Sequence, residues 1–386
     1  MKRGVMNKSF RLAVLACGLC LLSACGGSSS PGCVNNCTPG PKSEFVFAAS
    51  VDHVQSLKVN SASGALGSPT ATSGPNSASG IVADPSAKFL YVTDYSADAI
   101  DTFSINASTG ALASANAPVP IGSGGNAGGG AVAMDPKGKF LFATAAVAFK
   151  VASFAVNSST GALTPVPGSS VATGASPFNG VVDPTGKFLY VGNLDDLDGG
   201  ISAYTISSTG ALTPIPGSPF ASLPGTNPGP EGLAVSPDGR FLYVALDGPP
   251  QGWYNFVAGF TIDAITGALG LMQNSPFFSG TGPSNVVVDP TGKFLYTTDL
   301  GDGTISAFSI DPTSGELNAL SGYPLQVGVF MFGIGIDQSG KFLYASDLFT
   351  NYIYGFTITA TGALTPVGQP IGAGHSPSFL TIAKIP

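Results

Sequence analysis

Residues 285–319 read NVVVDPTGKFLYTTDLGDGTISAFSIDPTSGELNA, and this stretch decides the fold. Asn285-Val286-Val287-Val288 is a β-branched run of strand length. Asp289-Pro290-Thr291-Gly292 makes a tight turn, in which Pro fixes φ and Gly supplies the position that needs a positive φ. Lys293-Phe294-Leu295-Tyr296-Thr297 is apolar and aromatic, as a strand packed between two sheets should be. Ile305 to Ile310 alternates with period two, and after the turn at Ser314-Gly315 a fourth, outer strand begins. Where related units carry Pro in that outer strand, a missing N–H does no harm at a sheet edge.

The unit recurs. Its turn motif starts at Asp84, Asp135, Asp183, Ser236, Asp289 and Asp337, at intervals of 51, 48, 53, 53 and 48 residues. A second motif, Gly then Ala or Glu then Leu, falls at Gly64, Gly110, Gly161, Gly210, Gly267, Gly315 and Gly362. Two motifs interleaved at one period mean repeated supersecondary units. The missing seventh turn motif has a simple account. Residues 44–50 align with a second strand and 54–60 with a third, whereas 378–383 form an innermost strand with no unit of its own. Pairing the two ends completes a seventh unit and leaves no sheet edge open at the seam. The expected fold is all-β: a seven-bladed β-propeller of four-stranded blades, closed by N- and C-terminal strands in one blade.

Upstream of the repeats the chain reads as an export signal. Residues 1–24 carry Lys2, Arg3, Lys8 and Arg11, then the apolar run Leu12 to Leu22, too short to span a bilayer. Leu22-Ser23-Ala24-Cys25 resembles the lipobox of bacterial lipoproteins, which implies lipidation of Cys25; the alternative is an ordinary secretory signal. Residues 25–43 then form a flexible tether, and 44–386 the propeller. Cys33 and Cys37 in the tether can close a small disulfide loop in an oxidising compartment, and two thiols without a nearby His are too few for a metal. The expectation is an exported monomer, lipid-anchored to the bacterial cell envelope on its periplasmic or outer surface, touching membrane only through that anchor. Without the signal the chain has eleven basic and 22 acidic residues, which argues against nucleic acid and against anionic lipid headgroups as partners.

The unit DP-x-G-K-F-L-Y-V followed by T-G-A-L-T-P-V resembles the lactonase family of seven-bladed propellers, which includes 6-phosphogluconolactonases and muconate-lactonising enzymes. The resemblance spans residues 44–386 and implies hydrolysis of a lactone or sugar ester. In members thought to be active it also implies a His, often preceded by Arg, just ahead of an innermost strand. Here that column reads Gly80, Ala131, Asn179, Gly232, Asn285, Gly333 and Phe379, preceded by Phe178, Glu231 and Ser284 in the best-matching blades. None is His or Arg. A phosphosugar also needs converging cations, yet most Lys and the single mature Arg, Arg240, fall in the Asp-Pro turns.

The opposite, loop-bearing face holds the candidate ligand residues: Asn179, Asn193, Glu231, Asn285, Asp299 and Asp347, with Trp253 and Tyr254 in the longest insertion. Phe330 and Phe332 are placed in a loop there. Exposed aromatics on a rigid ring suit sugar stacking or a protein partner, unless Trp253 plugs its own loop. Asp195, Asp196 and Asp198 are the best local candidate for Ca²⁺, or else a solvated acidic loop; no other cofactor is required. His375 and His53 are brought together by closure, with Asp52 adjacent, so a His–Asp pair can serve as a general base, or these are surface histidines. Two functions follow: a binding platform for a small molecule or an envelope protein, or a lactone hydrolase.

Overall fold

A computed structural model of the chain describes residues 43–122, 129–194, 200–223, 228–247 and 255–385. All regular structure there is β, arranged as seven antiparallel sheets. Blade 1 runs from its innermost strand Ala78–Ala83 through Phe89–Asp94 and Ala99–Ile105 to the outer strand. Blades 2 to 6 repeat the order from Gly129–Met134, Pro177–Val182, Gly229–Val235, Pro283–Val288 and Met331–Ile336. Blade 7 is assembled from both ends: Leu380–Lys384 is innermost, followed by Glu44–Ala49, His53–Val59 and Thr70–Ser73. Ala48 stands opposite Leu380, and Ala49 N donates to Phe379 O at 2.9 Å. The seven-bladed ring and its seam are as the repeats predict, with strand limits shifted by one or two residues.

The outer strand is not one continuous strand. In blade 1 it splits into Leu112–Ser114 and Val119–Pro120, which pair with opposite ends of the third strand. The intervening residues 115–118 include the turn formers Asn116 and Pro118, and Asn116 Nδ2 donates to Thr160 O of the next blade at 3.1 Å.

Each Asp-Pro turn is built around its carboxylate. Asp289 Oδ1 accepts from the amides of Lys293 and Phe294, both at 2.7 Å, and Oδ2 accepts from Thr291 N at 3.0 Å. This closes the hairpin between innermost and second strands. Blade 4 exchanges the parts: Ser236 Oγ accepts from Phe241 N and donates to Asp238 Oδ1.

The two sequence motifs turn out to be halves of one contact between neighbouring blades. The Phe that opens a second strand packs on the motif Gly of the next blade, at Phe45–Gly110, Phe89–Gly161, Phe140–Gly210, Phe188–Gly267, Phe241–Gly315, Phe294–Gly362 and Phe342–Gly64. Two residues on, Tyr91, Tyr190, Tyr243, Tyr296 and Tyr344 donate their hydroxyls to the backbone carbonyls of Gly161, Gly267, Gly315, Gly362 and Gly64, at 2.7–3.1 Å. Burial pushes all five phenols well above their ordinary pKa, so they stay protonated as donors. Phe142 and Phe47 occupy the same column in blades 2 and 7, so two interfaces have the packing without the hydrogen bond.

Candidate active site at the channel mouth

Every innermost strand enters the ring from the loop face. In blades 1 to 6 its register slips just inside that entry, as between Pro177 and Asn179, Pro230 and Gly232, and Pro283 and Asn285. Such bulges re-aim side chains and are held from behind here. Thr93 Oγ1 donates to Gly130 O at 2.6 Å, Thr144 Oγ1 to Phe178 O at 3.3 Å, and Thr298 Oγ1 to Phe332 O. A hydroxyl on one blade thus fixes the bulge of the next.

On blades 3 to 5 the mouth is polar. Asn179 Nδ2 donates to Asn285 Oδ1 at 3.3 Å, passing over blade 4 at Gly232. A Cβ on Gly232 would lie 2.6 Å from the Asn285 Cα, so the bridge depends on the absence of a side chain there. Asn285 is 8 % exposed, and its Nδ2 has no hydrogen-bond partner among the described residues. Glu231, in the bulge one residue before Gly232, is buried as well. The other side is aromatic: Phe379 meets Phe332 edge-on with centroids 5.3 Å apart and faces Phe178 at 5.9 Å. Phe332 therefore lies in the innermost strand and is buried, not in an exposed loop as the sequence suggests, because bulging turns it toward the axis.

The acidic column at the ends of second strands does different work. Asp299 is fully buried and accepts from Thr297, Thr304 and Ser306 hydroxyls at 2.7–3.0 Å. Desolvation dominates these bonds and pushes its carboxyl up to about 7. Asp347, the equivalent residue of blade 6, goes the other way. Burial acts to raise it, but amides of Val329, Phe330, Phe349 and Thr350 outweigh that and hold it below the usual range. Asn193 Nδ2 donates to Gly200 O at 2.8 Å and Ser202 Oγ at 3.0 Å. These side chains fasten the hairpins and loops around them, each within its own blade or the segment leading into it. Asp195, Asp196 and Asp198 lie outside the described residues, as do Trp253, Tyr254, Cys25, Cys33 and Cys37; among the described residues no group of three or more His, Cys, Asp and Glu is placed to hold a metal.

Closure does bring the histidine loops together: Val51 N donates to His375 O at 3.1 Å. His53 Nδ1 pairs with Asp52 Oδ1, and its ring packs against Gly374. Yet His53 begins the third strand, opposite Ser73 of the outer strand, so the dyad stands two strands out from the channel lining. The His375 side chain is exposed, and no hydrogen bond or ion pair joins it to His53 among the described residues. The Asn179–Asn285 bridge was the feature sequence reasoning missed, although both residues fall in one repeat column.

A cleft of about 200 Å³ lined by Leu325, Tyr354, Phe356, Leu364 and Val367 lies at the outer rim between blades 5 and 6, built from third and outer strands. It has no titratable group except Tyr354 and no connection to this chemistry.

Residues 38–332 match the model of the family described as lactonase, 7-bladed beta-propeller. The chain belongs to this family. A curated 6-phosphogluconolactonase of Formosa agariphila is 29% identical over 125 residues, covering 32% of this chain and 33% of that protein, so the chain matches only a third of the relative's length. Among solved structures, a provisionally assigned 6-phosphogluconolactonase from Bacteroides uniformis superposes with a TM-score of 0.75 at 19% identity, covering 89% of this chain and 100% of that one. A periplasmic gluconolactonase from Pseudomonas aeruginosa gives 0.65 at 19% identity, over 89% and 100% of the two chains. At such identities the structural likeness shows the shared fold.

Proposed function

We propose that this lactonase-family propeller is a hydrolase of an uncharged sugar lactone, acting at the loop-face mouth of its channel. Family membership supports the reaction class, and buried Glu231, in the bulge next to Gly232 where the Asn179–Asn285 bridge crosses blade 4, carries the site. In this reading Glu231 takes a proton from water, whose oxygen attacks the lactone carbonyl carbon. The free N–H of Asn285 stabilises the tetrahedral oxyanion. The ring C–O bond then breaks, the carbonyl re-forms, and the proton returns from Glu231 to the leaving alkoxide, giving the hydroxy acid.

The charge pattern selects the substrate. Of the described cations only Lys150 stands on the loop face, at the start of a third strand and away from the axis. A phosphate would find no converging Lys or Arg among the described residues, which favours a neutral lactone over its 6-phospho form. Export as a Cys25-anchored envelope lipoprotein is part of the same proposal and accords with a substrate met outside the cytoplasm.

The test is pH-stat hydrolysis by the full chain of glucono-, galactono- and 6-phosphogluconolactone. The expected result is turnover of neutral lactones that falls at least ~100-fold in Glu231→Gln, the size of a general-base contribution, and remains in His53→Ala. Turnover lost in His53→Ala but kept in Glu231→Gln would move the site to the blade 7 dyad. No turnover from folded protein would leave the second reading, a binding platform, which the exposed edge-on pair Phe330–Phe349 favours.

A further inference from the structure

Blades 3 and 7 are not neighbours in the ring, so side chains of their innermost strands can meet only across the channel. They do meet: Phe178 of blade 3 and Phe379, at the head of the innermost strand of blade 7, have ring centroids 5.9 Å apart. Phe332 of blade 6 joins them, edge-on to Phe379 at 5.3 Å. All three rings therefore project into the channel, at a level that the repeat fixes. Phe178 and Phe332 occupy the bulge position that Glu231 holds in blade 4, and Phe379 occupies the next one, the column of Asn179 and Asn285. In blades 1, 5 and 7 the bulge position is a Ser whose hydroxyl turns away to a carbonyl of the next blade, Gly130 O, Met331 O or Ala78 O.

The mouth thus has two unlike halves at one level. The two asparagines and the glutamate give blades 3 to 5 their polar groups, whereas the phenylalanines present carbon. Phe178 and Phe379 keep part of their surface open, so this half is a wall and not sealed core. Its neighbouring hydroxyls are already engaged: Ser346 Oγ accepts from Gly333 N and donates to Ser378 O, and Ser378 Oγ donates to Ala49 O. A group seeking a hydrogen bond from those two finds none to spare. A sugar lactone has the matching division, with its carbonyl and hydroxyls around the ring edge and C–H bonds across a face.

We infer that Phe379 and Phe178 are specificity-determining residues that receive the C–H face of the lactone ring by stacking, which turns its carbonyl edge to Asn285 and Glu231. The inference rests on the lactonase reading of this mouth and names what the mouth selects: a cyclic ester with one unbroken C–H face. A ring hydroxyl directed at the aromatic half loses its water and gains no partner, which disfavours that epimer. An open-chain ester presents no such face. Aromatic rings suit this role because their flat apolar surface is large and already held in place by its neighbours.

Two measurements on the full chain test this: pH-stat kinetics on glucono-1,5-lactone, and calorimetric binding of glucono-1,5-lactam, whose ring amide keeps the shape and resists hydrolysis. Phe379→Leu should raise both the lactone KM and the lactam Kd about three- to tenfold, the size of one aromatic contact. Its kcat should stay near that of the parent, because stacking serves ground state and transition state alike. Leu keeps the site apolar and close in volume, so the fold should survive, as circular dichroism checks. Phe178→Leu, in another blade, should act the same way and serves if the seam of blade 7 does not tolerate the first change. Phe278→Leu, an exposed ring on the outer strand of blade 4, should change neither quantity. Lactam bound as tightly by the folded variants as by the parent, no lactam binding by the folded parent, or a loss confined to kcat overturns the inference. Lactam binding that weakens in the variants of a chain with no lactone turnover would sink the hydrolase reading and leave the aromatic wall standing.

Discussion

Adding one methyl group at Gly362 tests the contact that joins the blades. Gly362 has φ of 82°, and a Cβ there would lie 2.4 and 2.5 Å from Cδ1 and Cε1 of Phe294, a ring held at the start of its strand. The left-handed backbone costs an L residue roughly 1–2 kcal/mol. Pushing a packed ring aside adds about 1–3 kcal/mol. Moving the Gly362 carbonyl also endangers the 2.7 Å bond from Tyr296, worth about 1 kcal/mol. Gly362→Ala should therefore destabilise by about 3–6 kcal/mol, a large share of a typical total of about 5–15 kcal/mol. Gly168→Ala is the matched control, with φ of 71° and nothing within 4 Å of its Cβ, so it bears the backbone cost alone. Urea unfolding of both variants, of Tyr296→Phe and of the double Gly362→Ala/Tyr296→Phe provides the measurement. The double should cost less than the sum of its singles, because the alanine has already disturbed the tyrosine bond. If Gly362→Ala is no worse than Gly168→Ala, the Phe–Gly packing is not what holds adjacent blades.

The reverse change should help. Phe142→Tyr places a hydroxyl where five other blades have one, facing the Gly210 carbonyl, and should stabilise by about 0.5–1.5 kcal/mol in the same assay. The pH dependence of unfolding separates Asp299 from Asp347. Asp299 titrates at about 7 when folded and near 4 when unfolded, so the folded state binds the extra proton and stability falls as pH rises through that window. Asp299→Asn should remove that fall. Asp347 is held low by its amides, so its contribution is full at neutral pH and lost as pH drops through its folded pKa; Asp347→Asn should flatten the acid limb instead. Identical pH profiles for the two variants would refute the contrast between the blades.

Much of the fold was legible because its instructions are local. Asp-Pro-x-Gly specifies a turn through its own side chain and dihedrals, and Asp289 bonds amides only four and five residues away. What the sequence hid is what one unit does to another. Phe294 and Gly362 belong to different repeats, and nothing in either motif says that they touch. The mouth was harder still. The column of Gly80, Gly232 and Gly333 reads as a lost active-site pattern, yet added Cβ atoms there would meet the backbone of the next innermost strand at 2.1–2.8 Å. Those positions are narrow for steric reasons, whatever the chemistry. Asp299 and Asp347 look like ligand carboxylates by position, but hydroxyls in one case and amides in the other use their oxygens. One-dimensional patterns show which residue types stand in a column, not which of their lone pairs are already taken.

The seam in blade 7 also constrains when this molecule becomes a molecule. Ser378 Oγ donates to Ala49 O across 329 residues of chain, while the other blades form from neighbours close in sequence. A growing chain that has not reached residue 380 can stack its blades into an arc but cannot shut it. The strand Glu44–Ala49 must wait, one edge bare, for a partner made hundreds of residues later. Ring closure is therefore the late, slow event, since its loop-closure entropy is met only at the end. Until then the protein is an open stack.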